Sequence, residues 1–359
     1  MKYILALFLL ILFSCSSDST VKLIKINPIL QEKSIELSEI GEKLNIIEIK
    51  TESPIGGIPD VLLSEKYIYL FDQDYSQSLY QIDYEGNVLN SIRFGNDDKL
   101  NINGINNLVE KNNEVGVVSM GTKIIWFDEK LNNKKTETMA IKAHYHFPFK
   151  NGYVSFVNRI NDEIDFDFVS SDENGIIHRA IPIDRNEYAY VYKPYSPFSA
   201  YKDQILFSKS FNDTIYSYEV EKGLIPFAKV DFGSSSVPDD QFLKIQDAFD
   251  MMNFFNTKKF SYLDGEIYSI DDQKALIKVS IKGKGAFGLW DIDKGNLVIY
   301  PSLKDNFKSD MELFHINTVS TGKTVFGVSG EYVKSRASES FKSSLEEGYE
   351  YSFFLFVLE

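Results

Sequence analysis

Short apolar runs recur along this chain and are separated by polar turns. Residues 61–95 are the clearest example, because four runs rich in β-branched and aromatic residues alternate there with turn-forming segments. Such residues favour strands, and Gly, Asn, Asp and Ser favour the turns between them. Gly86 can adopt the positive φ that a tight hairpin turn requires. We interpret residues 61–95 as one four-stranded antiparallel sheet.

Turns of similar composition follow at nearly regular distances. An acidic residue ends a strand and a Gly or Asn follows it at residues 83–87, 128–133, 172–175, 219–223 and 291–296. The intervals are about 42 to 48 residues, except the last of about 72, and a repeat of this length suits a four-stranded propeller blade. We therefore predict an all-β fold over residues 35–359, a six-bladed β-propeller of four-stranded antiparallel blades.

Several predicted strands do not alternate polar with apolar residues, among them residues 67–71, 124–127 and 353–357. Strands buried on both faces have this pattern, and the middle strands of stacked propeller blades are buried in that way. The sixth blade lacks one strand at the C-terminal end of the chain. We predict that residues 44–50 supply it, since ring closure would remove exposed sheet edges.

Two segments have helical rather than strand periodicity. In residues 236–256 a capping-box-like start at Ser236 precedes apolar residues at helical spacing. Those residues are Phe242, Ile245, Phe249, Met252 and Phe255. We favour a helix packed over one end of the propeller; the alternative is a lid over a ligand pocket, with Phe249 in contact with the ligand. Residues 335–347 predict a second short helix, with Ala337, Phe341 and Leu345 on one face.

The N-terminus has the features of an export signal. Residues 4–13 are apolar, which is about half of the roughly 20 residues that a membrane-spanning helix needs. The run ends at Leu-Phe-Ser-Cys15, similar to the processing site of bacterial lipoproteins, and Cys15 is the only cysteine. We predict a signal peptide at residues 1–14, a lipid anchor on Cys15 and a tether at residues 15–34. The alternative is an ordinary signal peptide with a chance cysteine.

Charge limits the partners that the protein can bind. The chain has 52 acidic and 38 basic residues, a formal net charge of −14. An acidic body repels phosphate backbones, so the composition argues against nucleic-acid binding.

Few residues suggest catalytic or metal chemistry. His144 and His146 would share one face of a strand, a geometry compatible with metal binding, but a third ligand at fixed spacing is missing, and hydrogen-bonded strand residues are the alternative. A second set consists of the clustered tyrosines Tyr188, Tyr190, Tyr192 and Tyr195. These tyrosines could stack on a sugar or peptide ligand, or pack at a blade junction. We identify no catalytic residues and expect no cofactor.

The chain resembles the six-bladed β-propeller lipoproteins of Bacteroides-type bacteria, a family largely of unknown function. The resemblance rests on residues 35–40, 44–51, 68–72, 79–87 and 212–217. It implies a monomeric, lipid-anchored protein of the cell envelope, at the outer membrane, on its periplasmic or surface side.

We expect a binding module for an envelope protein, peptide or glycan. The alternative is a propeller hydrolase or lyase with a metal in the central channel. Polar residues on the innermost strands would separate the two functions, and the candidates are Asn106, Asn107, His144, His146 and Asn317.

Overall fold

The computed structural model describes residues 23–51, 54–56, 59–73, 75–94, 105–158, 163–183, 194–238, 241, 245, 247–320 and 322–359. These residues form an all-β propeller of small sheets, and they contain no helix long and apolar enough to cross a membrane. The predicted signal peptide and Cys15 lie outside the described residues.

The strands form seven sheets within the described ranges. The N-terminal strands are β1 (Ile24–Ile26), β2 (Ile29–Leu30), β3 (Ile35–Glu36) and β4 (Leu44–Ile49). Sheet 1 contains β5 (Asp60–Leu63), β6 (Ile68–Asp72), β7 (Ser78–Ile82) and β8 (Val88–Arg93). Sheet 2 contains β9 (Ile105–Lys111), β10 (Glu114–Ser119), β11 (Lys123–Phe127) and β12 (Asn133–Thr138). Sheet 3 contains β13 (Tyr145–Phe149), β14 (Gly152–Phe156), β15 (Phe166–Asp172) and β16 (Gly175–Pro182).

The C-terminal half continues this pattern. Sheet 4 contains β17 (Phe198–Tyr201), β18 (Gln204–Ser208), β19 (Thr214–Glu219) and β20 (Gly223–Val230), with β1 added. Sheet 5 contains β21 (Tyr262–Ser269), β22 (Lys274–Ile281), β23 (Lys284–Asp291) and β24 (Asn296–Tyr300), with β2 added. Sheet 6 combines β3 with β25 (Leu303–Lys304) and β26 (Glu312–Leu313). Sheet 7 contains β27 (Thr318–Ser320), β28 (Lys323–Ser329), β29 (Phe353–Leu358) and β4.

The prediction of six sheets was therefore wrong, because the described residues form seven. The additional one is sheet 6, whose three strands have two residues each. Strands this short produce no recognisable alternation, so the sequence pattern could not indicate them. Sheet 6 packs its buried Ile35, Leu303 and Leu313 into one core with residues of sheets 5 and 7.

The predicted closure by the N-terminal strand is confirmed. Strand β4 pairs antiparallel with β29 along its whole length, from Leu44 opposite Leu358 to Ile49 opposite Phe353. All six residues of β29 are buried, which agrees with the two-sided burial predicted from its apolar run.

The predicted tether at residues 15–34 needs correction in its described part. Strand β1 pairs in parallel with β20, and β2 pairs in parallel with β24, so this segment extends the outer edges of sheets 4 and 5. Ile26 is completely buried, in a core cluster with Ala228 and Val230. Two isoleucines flanking Lys25 were enough to form an outer strand against a hydrophobic sheet edge.

The recurrent hairpin turns form as predicted, with the acidic residue organising the backbone. The carboxylate of Asp83 accepts hydrogen bonds from the backbone N–H groups of Glu85 and Asn87 at 3.1 and 2.8 Å. Gly86 has φ +94°, and a Cβ atom there would lie 2.2 Å from the carbonyl oxygen of Glu48. Glycine is thus required both by the turn and by its contact with β4.

Helix α1 (Ala248–Asn256) is shorter than the predicted helix at residues 236–256. Its N-cap is Asp247, whose carboxylate accepts hydrogen bonds from the N–H groups of Phe249 and Asp250 at 2.8 and 2.9 Å. Ser236, the predicted cap, follows a short 3-10 turn and forms an isolated bridge with Ser261.

The buried face of α1 also differs from the predicted face. Met251 and Phe254 are buried, whereas Phe249 is 69% and Met252 60% exposed. Ile245 is buried and Phe255 is packed against the same cluster, as predicted, but Ile245 precedes the helix. On the helix itself, Met251 and Phe254 face the propeller in place of the predicted Phe249 and Met252. Phe242 lies outside the described residues.

The second predicted helix, residues 335–347, is two shorter helices. Helix α2 (Gly330–Arg336) ends at Ala337, which is extended, and α3 (Glu339–Lys342) begins after Ser338. The Ser338 hydroxyl accepts a hydrogen bond from the N–H of Phe341 at 3.4 Å, and this cap starts a new helix. Ala337 and Phe341 are buried, as the predicted apolar face required.

Candidate functional site

A central cavity of about 420 Å³ lies where the first strands of six sheets come together. Strands β5, β9, β13, β17, β21 and β27 each contribute lining residues, and neighbouring first strands contact one another around the ring. Between sheets 3 and 4 the contact includes the rings of Phe147 and Phe198, whose centroids are 6.1 Å apart. The cavity therefore coincides with the axis of the propeller.

One end of the cavity reaches the protein surface. Its lining there comes from the turns that follow the first strands, namely Lys202, Asp271, Asp272 and Gly322, and all four residues are exposed. A ligand could enter through this end, which we call the open end.

Elsewhere beside the cavity, hydrogen bonds connect the first strands with one another and with residues that precede them. The Tyr145 hydroxyl donates to the carbonyl oxygen of Tyr195 at 3.0 Å. The Tyr268 hydroxyl lies 3.1 Å from Oε2 of Glu266 and 3.0 Å from the carbonyl oxygen of Ile316. These contacts join sheets 3, 4, 5 and 7 beside the cavity, and we call this the tyrosine end.

Buried or largely buried ionisable groups lie next to the tyrosine end. Burial raises the pKa of Glu266, and burial with the nearby Glu266 charge raises the pKa of Asp264 to about 7. Burial, together with the charge of Lys278, lowers the pKa of His315 to about 3, and its ring lies 4.6 Å from that of Tyr195. His315 is therefore neutral at physiological pH, so it supports Tyr195 by packing rather than by charge.

The two candidate metal ligands do not belong to a cluster of metal-ligating side chains in the described part of the chain. His146 is fully buried in β13, and its Nδ1 and Nε2 lie 2.8 Å from the Ser155 hydroxyl and 2.9 Å from the carbonyl oxygen of Gly121. Both ring nitrogens are thus used by the protein, and burial lowers the pKa of His146 to about 4. His144 precedes the strand and its backbone N–H donates to Phe156. No cluster of three or more metal-ligating side chains occurs in the described part of the chain.

The predicted ligand-binding residues are only partly brought together. Tyr195 lines the cavity and is 44% exposed, so the structure places it where a ligand could make contact. Phe249 is on the exposed face of α1 and is not part of the cavity lining. Tyr188, Tyr190 and Tyr192 lie outside the described residues.

Of the polar candidates on innermost strands, Asn107, His146 and Asn317 line the cavity. The sequence prediction missed the acidic lining residues Asp60 and Glu110. Both lie on first strands, β5 and β9. Their position on the innermost strand of a blade is the feature of the sequence that could have identified them. The predicted ring of polar residues could include Asp or Glu, but the candidates named for it were only amides and histidines.

A family model described as "Domain of unknown function (DUF4934)" matches residues 21–352. The chain belongs to this family. The match covers most of the chain, so the resemblance to a propeller family of unknown function is confirmed in its general form. A search of curated proteins finds no match to this DUF4934 protein.

The chain is similar to several solved structures, one of which has the same fold. A predicted exported protein from Bacteroides fragilis has a TM-score of 0.69 at 11% identity, with 94% of this chain and 100% of that chain covered. Virginiamycin B lyase from Staphylococcus aureus has a TM-score of 0.45 at 13% identity, covering 79% of this chain and 81% of that one. BamB from Moraxella catarrhalis has a TM-score of 0.41 at 9% identity, covering 79% and 75%. At 11% identity, the similarity to the Bacteroides fragilis protein concerns the fold alone.

Proposed function

We propose that this DUF4934 protein is a lipid-anchored binding module outside the cytoplasm, which takes part of an envelope protein, peptide or glycan into its central cavity. The cavity is the observation that carries the proposal. Its volume of about 420 Å³ falls within the roughly 300–1,000 Å³ usual for ligand sites. It accommodates a small group or a short segment of a partner.

The apolar run at residues 4–13 and its end at Cys15 support export and lipid anchoring. The similar fold of a predicted exported protein from Bacteroides fragilis agrees with export. Several acyl chains on one cysteine would bind a membrane stably, since each buried CH₂ contributes ~0.8 kcal/mol. We place the protein in the cell envelope, at the outer membrane, as a monomer.

The enzymatic alternative required a metal in the channel. Among the candidates for it, His146 already has both ring nitrogens in contact with oxygen atoms of the protein. No observation on the described residues favours a metal-dependent hydrolase or lyase over a binding module.

The anchoring is tested by Cys15→Ala in the full chain. We expect the variant to leave the membrane fraction, whereas Ser16→Ala should fractionate as the wild type. Incorporation of a radiolabelled fatty acid should disappear in the Cys15 variant alone. If Cys15→Ala remains in the membrane fraction, the proposed anchor is incorrect.

The role of the cavity is tested by filling it. Ala200 lines the cavity and is exposed, so Ala200→Trp should narrow the opening without disturbing the core. Ala140 is exposed away from the cavity, so Ala140→Trp is the matched control. Partners cross-linked in intact envelopes should be lost from Ala200→Trp and retained by Ala140→Trp. Equal capture by both variants would contradict binding in the cavity.

A further inference from the structure

The two faces of the propeller differ in the side chains that they expose. Consecutive strands of each large sheet are antiparallel, so the turns after its first and third strands lie on one face. The turn after its second strand lies on the opposite face, together with the connections between sheets. The open end of the cavity is on the first of these, which we call the open face. We call the opposite one the connection face.

Exposed apolar side chains are concentrated on the connection face. Among the described residues, the large apolar side chains exposed there are Tyr75, Met120, Tyr195, Phe249, Met252, Phe314 and Tyr351. The other exposed ones, Ile29, Leu30, Leu89 and Ile177, lie on outer strands. The described turns of the open face therefore expose no large apolar side chain. Single exposed apolar residues are common on any protein, but their accumulation on one face indicates a contact surface.

Helix α1 carries two of these residues on its outer side. Phe249 and Met252 are three residues apart, and the exposed, uncharged Asn253 and Asn256 lie on the same side of the helix. The inner side is fixed by the buried Phe254, which belongs to a core cluster with a residue of sheet 5. This packing holds the outer side of α1 towards the solvent.

Four lysines lie next to the C-terminal end of α1. Lys258 and Lys259 follow the helix, and Lys282 and Lys284 flank Gly283 in the turn between β22 and β23. A Cβ atom on Gly283 would lie 3.0 Å from Cγ of Lys258, so the two segments are in contact. All four lysines are exposed, and none forms an ion pair with a described residue. The connection face therefore has positive charge beside the apolar residues of α1.

Acidic residues dominate the turns of the open face. The turns after third strands each contain two acids and at most one lysine, at residues 83–87, 128–132, 172–174, 219–222 and 291–295. Strands between the two faces have up to eight residues, which corresponds to about 26 Å at roughly 3.3 Å per residue. This distance is more than twice the Debye length of about 8 Å at physiological salt. An anionic surface at the connection face would therefore be screened from the acids of the open face.

The proposed lipid anchor keeps the propeller close to a membrane. Cys15 and Ile24, the first residue of β1, are nine residues apart in the chain. Nine extended residues span at most about 32 Å, so the outer edge of sheet 4, where β1 pairs, stays within this distance of the anchor. Helix α1 follows sheet 4 in the chain and lies on the connection face. A membrane surface is therefore within reach of this face.

We propose that the connection face lies on the surface of a membrane that contains anionic lipids. Phe249 and Met252 enter the headgroup region, where aromatic and apolar side chains bind favourably, and the four lysines lie against lipid phosphates. This orientation directs the open end of the cavity away from the membrane. The inference rests on the proposed function for the anchor that brings the protein to the membrane, but the contact itself requires no acyl chain.

The test uses residues 16–359, which include every described residue and contain no cysteine, so a lipid anchor cannot contribute. Flotation measures the binding of this protein to phosphatidylcholine vesicles with and without phosphatidylglycerol. We expect binding to the anionic vesicles, weaker binding to the neutral ones and release at high salt, because salt screens the lysines. Absence of binding to the anionic vesicles, as for a face that a protein partner covers, would overturn the inference.

Matched variants separate the connection face from the rest of the surface. Phe249→Ser should weaken vesicle binding about tenfold, whereas Leu89→Ser, on the outer strand β8, should leave it within about twofold. Lys282→Gln should weaken binding about fivefold, and Lys130→Gln, which changes the net charge equally on the open face, should leave it within about twofold. All four side chains are exposed, so we expect no folding defect. Equal effects within either pair would contradict the proposed contact.

A fluorescent label reports the orientation directly. Because residues 16–359 contain no cysteine, Asn253→Cys and Lys130→Cys can each be labelled at a single site with a polarity-sensitive fluorophore. The emission of the label at residue 253 should shift to shorter wavelength on anionic vesicles, and that of the label at residue 130 should not shift. Any other pattern would show that the protein binds vesicles through another surface, and would refute the inference.

The anchor and the face contact can fail separately. Protein held only by the connection face is released by a high-salt wash, whereas acyl chains retain it. If the full chain stays on washed membranes but residues 16–359 do not bind vesicles, the anchor stands and the face contact is refuted. If residues 16–359 bind vesicles but the full chain incorporates no fatty acid, the face contact is supported and the anchor is refuted.

Discussion

Ile26→Ala tests whether the N-terminal segment is part of the folded propeller rather than a tether. Ile26 is completely buried in the cluster that contains Ala228 and Val230, and its carbonyl oxygen accepts a hydrogen bond from the N–H of Asp231 at 2.8 Å. Ile29 lies three residues further along on the same segment but is 48% exposed. Ile29→Ala is therefore the matched control.

The magnitude follows from burial and from the short length of β1. Truncating a fully buried isoleucine to alanine usually costs about 2–5 kcal/mol. Strand β1 has three residues, and ordering each residue costs roughly 1–2 kcal/mol, so the weakened strand can detach instead of leaving a cavity. Detachment of the strand limits the loss of stability. We therefore expect the free energy of unfolding to fall by about 2 kcal/mol. Ile29→Ala should change it by less than about 0.5 kcal/mol, as for other exposed positions.

Urea unfolding of residues 16–359 measures this difference, and amide hydrogen exchange locates it. In Ile26→Ala we expect faster exchange at Asp231 and in β20, with no change in sheets 1 to 3. If both variants unfold at the same urea concentration and exchange at Asp231 is unchanged, β1 does not dock and our reasoning about the segment is incorrect.

Two further predictions concern helix α1 and a buried histidine. Phe254→Ala should lower the free energy of unfolding by about 3–5 kcal/mol in the same urea assay. Phe249→Ala, at an exposed position, should leave the free energy of unfolding nearly unchanged. Similar losses for the two variants would contradict the observed helix face. His146 has a pKa of about 4 in the folded protein, against 6.5 for an unperturbed histidine, so its stabilising effect is complete above pH 6.5 and is lost as the pH falls towards 4. Wild type should lose about 3 kcal/mol more than His146→Gln between pH 7 and pH 4, measured by urea unfolding, and equal losses would show that His146 is not buried as a neutral ring.

The sequence predicted those parts of the fold whose signal is local. The four-stranded antiparallel sheet predicted at residues 61–95 forms as β5 to β8, because apolar runs and Gly-bearing turns alternate there at the length of one strand. The turn at Gly86 forms as predicted, because Gly86 adopts the positive φ that this turn requires. Closure by β4 was predictable because a strand was missing at the other end of the chain.

Short strands escaped prediction because pairing, not periodicity, stabilises them. Residues 303–304 and 35–36 form strands only through each other and through residues 312–313. Two residues cannot display an alternation, and their parallel pairing joins segments that are far apart in the chain. The same reason accounts for β1 and β2, whose partners are the outer strands of sheets 4 and 5.

For helix α1 the predicted helical periodicity was correct, but the predicted buried face of the helix was not. Phe249 and Met252 are three residues apart, and so are Met251 and Phe254, so the sequence contains two overlapping apolar pairs. Packing against Phe211 and Tyr262 determines which pair is buried: the Phe254 ring lies 5.8 Å from the first and 6.0 Å from the second. Which pair is buried therefore depends on a loop of sheet 4 and a strand of sheet 5. The local sequence of the helix carries no information about these two elements.

The candidate site was less predictable than the fold because its chemistry is distributed over the ring. Asp60 comes from sheet 1, Glu110 and Asn107 from sheet 2, and Asp272 from the turn after the first strand of sheet 5. In the sequence each of these is one polar residue near a strand end, which is where solvated residues normally occur. They form an acidic cavity only because ring closure brings all the first strands to one axis. A prediction of the site therefore requires the position of each residue within its blade, and carboxylates on the innermost strands are the pattern to search for in related propellers.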